Sequence, residues 1–286
     1  NVQAIASDGT FDDCQALVKG MFNDHAFRDR MQLAGVNSIN WARIVAQVTY
    51  YFVAAVALGA PHRPVSFVVP TGNFGDIFAG YVARQMGLPI ERLVIASNVN
   101  DILPRTVATG VYEKRGVTAT TSPSMDIEVS SNFERYLFEA QGRDSALIRG
   151  QMAALAQSGR FEVKGGPELL ARDFSAASAS EEDVAEIIRR TRQVSGYMTE
   201  PHTACGLVAA ERCLKPGATP QVVLSTAHPA KFPDTIERIL GERPQLPPRL
   251  ASLMTDEERS TLLPNDLRAV ESFIEQHAGA AAEQLG

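Results

Sequence analysis

The stretch Val65-Ser66-Phe67-Val68-Val69-Pro70-Thr71-Gly72-Asn73-Phe74-Gly75 decides the fold. Val65 to Val69 is a short apolar run rich in β-branched side chains, the composition of a strand buried on both faces of a parallel sheet. A glycine loop follows. A helical pattern then runs from Asp76 to Met86 and stops at Gly87-Leu88-Pro89. Leu93-Val94-Ile95-Ala96-Ser97-Asn98 is a second strand of the same kind. Strand, loop, helix and strand make a βαβ unit, and its crossover sets the two strands parallel. Gln221-Val222-Val223-Leu224-Ser225 reads as a third buried strand. The fold class is therefore α/β, a mostly parallel sheet flanked by helices.

Upstream, Val2–Ser7 reads as a strand closed by Asp8-Gly9, with Thr10 placed to cap a helix through Lys19 to Phe22. The chain opens on Asn1 with a strand already in progress, so a preceding segment is expected. Gly35-Val36-Asn37-Ser38 breaks the pattern, and Asn40 or Ser38 caps a helix from Trp41 to Leu58. The apolar run Val45 to Ala60 contains Gln47, Thr49 and two tyrosines, so it reads as a buried helix and not as a membrane span. Downstream, Thr118 to Ser124 is a Ser/Thr-rich loop and Asn132 to Ala156 is mostly helical. Glu181–Val194 and Thr203–Leu214 are further helices, the second made of small residues, and the tail after Pro264 ends in a helix.

Composition narrows the function classes. The 286 residues are 45% hydrophobic, enough to bury a sizeable core. A net charge of -6 without a basic block argues against a nucleic-acid partner. The three cysteines, Cys14, Cys205 and Cys213, fit neither a zinc site nor a disulfide framework, and point to reduced thiols and a cytoplasmic setting. The five histidines show no metal-ligand spacing.

Four constellations carry possible chemistry. Thr71-Gly72-Asn73-Phe74-Gly75 joins a strand end to a helix start, where free N–H groups and the helix dipole favour an anion; the same glycines also suit a plain tight turn. Ser225-Thr226-Ala227-His228-Pro229-Ala230-Lys231-Phe232 follows another strand end, where α/β sheets bind ligands. Thr226 suits a heterocyclic nitrogen, or Ser225 or Thr226 simply caps the next helix. Asn37 to Arg43 places Ser38, Asn40 and Arg43 around a helix start, as a phosphate clamp or as a cap with a surface arginine. Ser122 to Asp126 and Ser130 to Arg135 are dense in polar groups and line a pocket or decorate a capped helix.

On these blocks, with Asp8 to Gln15 and the run to Gly80, the chain resembles threonine synthases of the bacterial and fungal-type branch, in the family's order from its start to about Phe232. The resemblance implies a fold-type II pyridoxal-phosphate (PLP) enzyme that converts O-phospho-L-homoserine and water to L-threonine and phosphate. It implies that Gly72, Asn73, Phe74 and Gly75 bind the cofactor phosphate through backbone amides and that Thr226 accompanies the pyridine nitrogen. Ser38, Asn40 and Arg43 are the candidates for substrate contacts. The family's Schiff-base lysine lies in a Phe-Lys-Asp-type motif, and none of Lys19, Lys114, Lys164, Lys215 and Lys231 sits in one. The lysine is thus expected upstream, with residues 1–34 closing a smaller domain and 35–286 forming the large PLP-binding domain with its helical C-terminal region.

Overall fold

A computed structural model describes residues 2–9, 11–253 and 255–282; Thr10, the expected cap, lies outside them. In chain order the elements are β1 (Ile5–Ser7), α1 (Phe11–Asn23), α2 (His25–Arg30), α3 (Trp41–Ala57), β2 (Val65–Pro70), α4 (Gly75–Gln85) and β3 (Ile90–Ser97). Then come α5 (Ile102–Thr109), β4 (Val111–Glu113), α6 (Phe133–Ala140), α7 (Ser145–Ser158), β5 (Arg160–Glu162), α8 (Gly166–Ala171) and β6 (Phe174–Ser178). The last are α9 (Glu181–Ser195), α10 (Pro201–Cys213), β7 (Gln221–Val223), α11 (Pro233–Leu240), β8 (Thr261–Leu263) and α12 (Leu267–Ala282).

The chain divides into two compact units, one made of residues 1–35 and 247–286, the other of 36–246. In the smaller unit β1 pairs parallel with β8, Ile5 opposite Thr261 and Ser7 opposite Leu263. Met21, Phe27 and Val270 form its small core, packed by Leu263, Leu267 and Ile274. The compact units thus group residues 247–286 with the N-terminal segment, whereas the domain division proposed from the sequence places everything after residue 34 in the large domain. The apolar stripe of α12 needs a partner, and it finds one on the helices of the N-terminal segment.

The larger unit carries a four-stranded parallel sheet in the order β6-β3-β2-β7. Its strands alternate between two buried faces, which is why their sequence runs are continuously apolar. Phe67, Val69, Leu93 and Ile95 join Tyr51 of α3 and Ile77 of α4 in the main core. Val68, Val94 and Ala96 face Ala209 of α10. The small residues of α10 let it lie close to the sheet: a Cβ at Gly206 would meet Val223 Cγ1 at 2.6 Å.

Two of the expected elements are refined, and one strand goes unanticipated. The helical stretch from Asn132 to Ala156 is two helices, α6 and α7, broken where Gly142 turns left-handed at φ 81° and Asp144 caps α7 through its side chain. Strand β6, Phe174-Ser-Ala-Ala-Ser, lacks the apolar signature and is held by its register with β3. Helix α3 is half buried: Ile44, Val48, Tyr51 and Ala55 face the core, but Val45, Tyr50, Val53 and Val56 are exposed.

Candidate functional site

Because all four strands of the main sheet run parallel, their C-terminal ends lie along one edge. The loop after β2, the Asn98–Asn100 turn after β3 and Thr226 after β7 all leave from that edge, where open α/β sheets place ligands.

The loop Thr71–Gly75 is fixed from several sides. Phe74 takes a left-handed conformation, φ 64° and ψ 2°, which a non-glycine residue adopts only under constraint. The constraint is its ring, fully buried in edge-to-face contact with Phe133 and Phe174 at centroid distances of 5.1 and 5.4 Å. Gly72 has no room for a side chain, since a Cβ would meet the Ser124 carbonyl oxygen at 2.4 Å. Ser130 Oγ donates to the Gly72 carbonyl at 2.6 Å. The amide of Asn132 and its side-chain Nδ2 both donate to the Asn73 carbonyl at 3.0 Å. The loop's carbonyls are thus tied back into the protein, and its amides are not. Helix α4 starts without a side-chain cap, and among the described residues the N–H groups of Asn73, Phe74, Gly75 and Asp76 have no protein acceptor. Four free donors at a helix N-terminus, beside a buried left-handed residue, fit an anionic group such as a phosphate.

Ser38 reaches this loop. A Cβ on Gly75 would lie 3.0 Å from Ser38 Cβ, and Asn132 Nδ2 donates to Ser38 Oγ at 3.1 Å. Asn40 is the N-cap of α3, its side-chain oxygen accepting from Ala42 N at 3.0 Å. Arg43 is exposed on the first turn of α3 and makes no ion pair among the described residues. Arg135 braces the segment, donating from Nε to Asn132 Oδ1 at 2.9 Å and from a terminal nitrogen to the Ile39 carbonyl at 2.7 Å. The Ser130–Arg135 block therefore acts as a scaffold for the loop.

Thr226 is not a helix cap. His228 caps the following 3-10 turn, Pro229–Lys231, by accepting from Ala230 N at 3.1 Å on Nδ1. Thr226 Oγ1 instead donates to Glu200 Oε1 at 3.0 Å. Glu200 is the N-cap of α10, followed by Pro201 at the first helical position. It is 1% exposed and accepts from Thr203 N and Oγ1, both at 2.6 Å, and from His202 N at 2.8 Å. His202 Nδ1 stands 2.7 Å from Glu200 Oε2. Burial, the largest single influence, pushes this carboxyl up, but the hydrogen bonds from His202 and Thr203 outweigh it and hold the group below its usual value. His202 Nε2 accepts from Ser124 N at 3.1 Å. One chain of contacts therefore runs from Gly72 through Ser124, His202 and Glu200 to Thr226.

A second buried network seats Ser124. Asn98 Nδ2 donates to Ser122 Oγ at 2.9 Å and to Asp126 Oδ1 at 2.7 Å, and Asn100 Nδ2 donates to the same Asp126 oxygen at 2.9 Å. Cys205, fully buried near Ser122, has its thiol pushed up to about 12 by burial, so it is an inert core residue and not a nucleophile. All five lysines are exposed; Lys231 ends the 3-10 turn after Thr226.

Several known proteins are similar to this chain. Residues 203–274 match the family model described as "Threonine synthase, C-terminal". Threonine synthase of Pseudomonas aeruginosa is 49% identical over 279 residues, covering 97% of this chain and 60% of that protein. A crystal structure of PLP-bound threonine synthase from Brucella melitensis superposes with a TM-score of 0.90 at 55% identity, covering 97% of this chain and 60% of the other. The yeast threonine synthase structure gives 0.84 at 38% identity, with 98% and 60% covered. The chain is similar to threonine synthases over nearly its whole length. It spans about 60% of the length of the curated relatives it matches.

Sequence reasoning passed over Glu200, His202 and Thr203. Their signal was a local one: an acidic residue before proline with threonine three positions on is a helix-capping pattern. That pattern says where a helix starts, not that its cap holds a hydroxyl from the loop after β7. Asn98 and Asn100 were readable only as polar residues closing a strand.

Proposed function

We propose that this chain supplies the cofactor-phosphate loop and the ring-nitrogen partner of a fold-type II, PLP-dependent lyase. In the whole enzyme the reaction converts O-phospho-L-homoserine and water to L-threonine and phosphate, in the cytoplasm. The observation that carries the reading is the row of unpartnered amides at Asn73–Asp76, held open at the same sheet edge as Thr226. The amides of Gly72, Asn73, Phe74 and Gly75 would take the cofactor phosphate, with the α4 dipole favouring its charge. Thr226 would stand beside the pyridine nitrogen. When bound, PLP supplies an electron sink that lets the substrate's phosphate leave. Ser38, beside Gly75, is a candidate for the substrate together with Asn40 and Arg43, and the exposed Arg43 guanidinium, which makes no ion pair among the described residues, has the right charge for its phosphate.

The Schiff-base lysine comes from a segment outside this chain, because each of its own lysines is solvent-exposed. That segment would pack on the exposed side of α3 and into the adjoining cleft of about 810 Å³ lined by Trp41, Phe78, Tyr81 and Phe138. This chain alone does not turn over substrate. The exposed lysines also support a second reading, a lysine-free homologue that binds phosphate ligands without catalysis. The full-length gene product, incubated with O-phospho-L-homoserine, separates the two. Threonine and phosphate released in equal amounts is the expected result. PLP or phosphate binding without turnover would favour the second reading, and failure to bind either would remove both.

A further inference from the structure

Every proton in the Thr226 network has a visible destination. A threonine hydroxyl has one proton to donate and two lone pairs to accept with, whereas an ionised carboxylate can only accept. Glu200 receives five contacts from hydrogen-bonding groups: Thr203 N, Thr203 Oγ1 and Thr226 Oγ1 at one oxygen, His202 N and His202 Nδ1 at the other. Each of its oxygens takes a backbone amide, which can only donate, together with further polar groups, so the set favours the carboxylate.

The histidine cannot reverse the direction. Its Nε2 accepts from the Ser124 amide, which requires a lone pair there, so the ring proton sits on Nδ1 and points to Glu200. Thr203 cannot reverse it either: its hydroxyl donates to Glu200 at 2.6 Å and accepts from the Thr226 amide at 3.2 Å. The Thr226 proton is therefore committed to Glu200. What Thr226 keeps is lone pairs, which accept from no donor among the described residues.

We propose that Glu200 is a positioning residue for the cofactor: by taking the Thr226 hydroxyl proton it makes Thr226 an acceptor, so that the pyridine nitrogen of bound PLP is held in its protonated N–H form. This rests on the reading that Thr226 stands beside that nitrogen. A hydroxyl free to rotate would donate to an unprotonated nitrogen equally well. A hydroxyl anchored on a buried carboxylate offers only an acceptor, and the carboxylate's negative charge, one hydrogen bond away, further favours a cationic ring. A protonated ring withdraws electrons more strongly than a neutral one, and the residue responsible is a helix cap that makes no contact with the cofactor.

The test is the nitrogen resonance of PLP labelled with 15N in the ring, bound to the full-length gene product, in the wild type and in Thr226→Ala, Glu200→Gln and Glu200→Asp. The expected wild-type signal lies upfield, in the protonated range, and is coupled to one proton. Thr226→Ala and Glu200→Gln move it downfield towards the unprotonated position, and Glu200→Asp, which keeps the carboxylate, restores part of the upfield shift. An unprotonated nitrogen in the wild type, measured without any variant, overturns the proposal. If that signal still moves in Thr226→Ala, the placement of Thr226 beside the ring survives and only the role of Glu200 falls. A resonance and a PLP affinity that ignore Thr226→Ala, or a wild type that takes up no PLP, remove the placement and the proposal together.

Discussion

Asp76 stands in the first turn of α4, one residue beyond the Thr71–Gly75 loop, with Tyr51 Oη donating to its Oδ1 at 3.1 Å. Burial raises its carboxyl from the usual 3.8 to about 6, and the tyrosine's hydrogen bond only moderates this. The sign of the linkage follows. Below about pH 4 the group is protonated folded and unfolded, and contributes nothing. Between about pH 4 and 6 the unfolded chain releases its proton while the folded one keeps it, so stability falls as pH rises. Above that window the penalty is complete, about 1–2 kcal/mol once the favourable helix dipole is set against the shift. Asp76→Asn keeps an acceptor for Tyr51. The variant and wild type are expected to unfold alike near pH 4, with the variant more stable by that amount at pH 8. Urea titrations at the two pH values check it, and a gap that does not change with pH would refute it. At this scale the sequence was half legible. The loop announced itself as a strand-to-helix glycine turn. The reason Gly72 must be glycine was hidden, because the clashing carbonyl belongs to Ser124, far along the chain. Glu200 was hidden for the same cause, since Thr226, its one partner from outside its own helix start, reaches it from the loop after β7 only once the sheet has formed.

Helices and strands were legible wherever one element carried its own pattern. Val65–Val69 and Leu93–Ser97 are apolar on both faces because both faces are buried, and no neighbour need be known to read them. Phe174–Ser178 fails that test: alanine and serine have weak strand preference, and only pairing with β3 makes the segment a strand. Helix α9 shows the opposite case, a start written entirely in local sequence. Ser180 Oγ accepts from Asp183 N at 3.1 Å, while the Ser180 amide donates back to Asp183 Oδ2 at 2.8 Å. This capping box, with the Ser180 amide as the leading cause, holds Asp183 below the usual carboxylate range. Val184, Ile187 and Ile188 then bury the helix in the cluster that contains Cys205 and Val208 of α10. A frayed start of α9 therefore loosens the helix that presents Glu200. Ser180→Ala is expected to cost about 1 kcal/mol, read as a lower urea midpoint with an unchanged slope. A midpoint equal to that of wild type would mean that α9 is held by packing alone.

Over the whole molecule, the largest unexplained feature is apolar surface. In α3, Val45, Val53 and Val56 are 45%, 70% and 61% exposed, and Tyr50 is 55% exposed, although the helix is firmly seated through Tyr51 and Ile44 on its other side. Single exposed apolar side chains need no account, but a row along one helix marks a contact surface. The chain spans about 60% of its relatives' length, and the lysine-bearing segment proposed above is the partner this face would take. The run reads as a buried helix in the sequence for the same reason: an apolar run reports that a face will be covered, not by what. Covering a valine of this kind contributes roughly 1.5–3 kcal/mol. Substitution by aspartate would forfeit that and set a charge against an apolar partner. Val53→Asp in the full-length gene product is thus expected to destabilise it by at least about 2 kcal/mol, whereas at a position that stays solvated such changes remain within about 0.5 kcal/mol. Chemical denaturation of the two proteins, with PLP absorbance followed in parallel, measures both the loss of stability and any loss of the cofactor. A Val53→Asp protein that melts with the wild type would leave the face of α3 open to solvent, and the proposed lysine-bearing segment would have to reach the Thr71–Gly75 loop by another side.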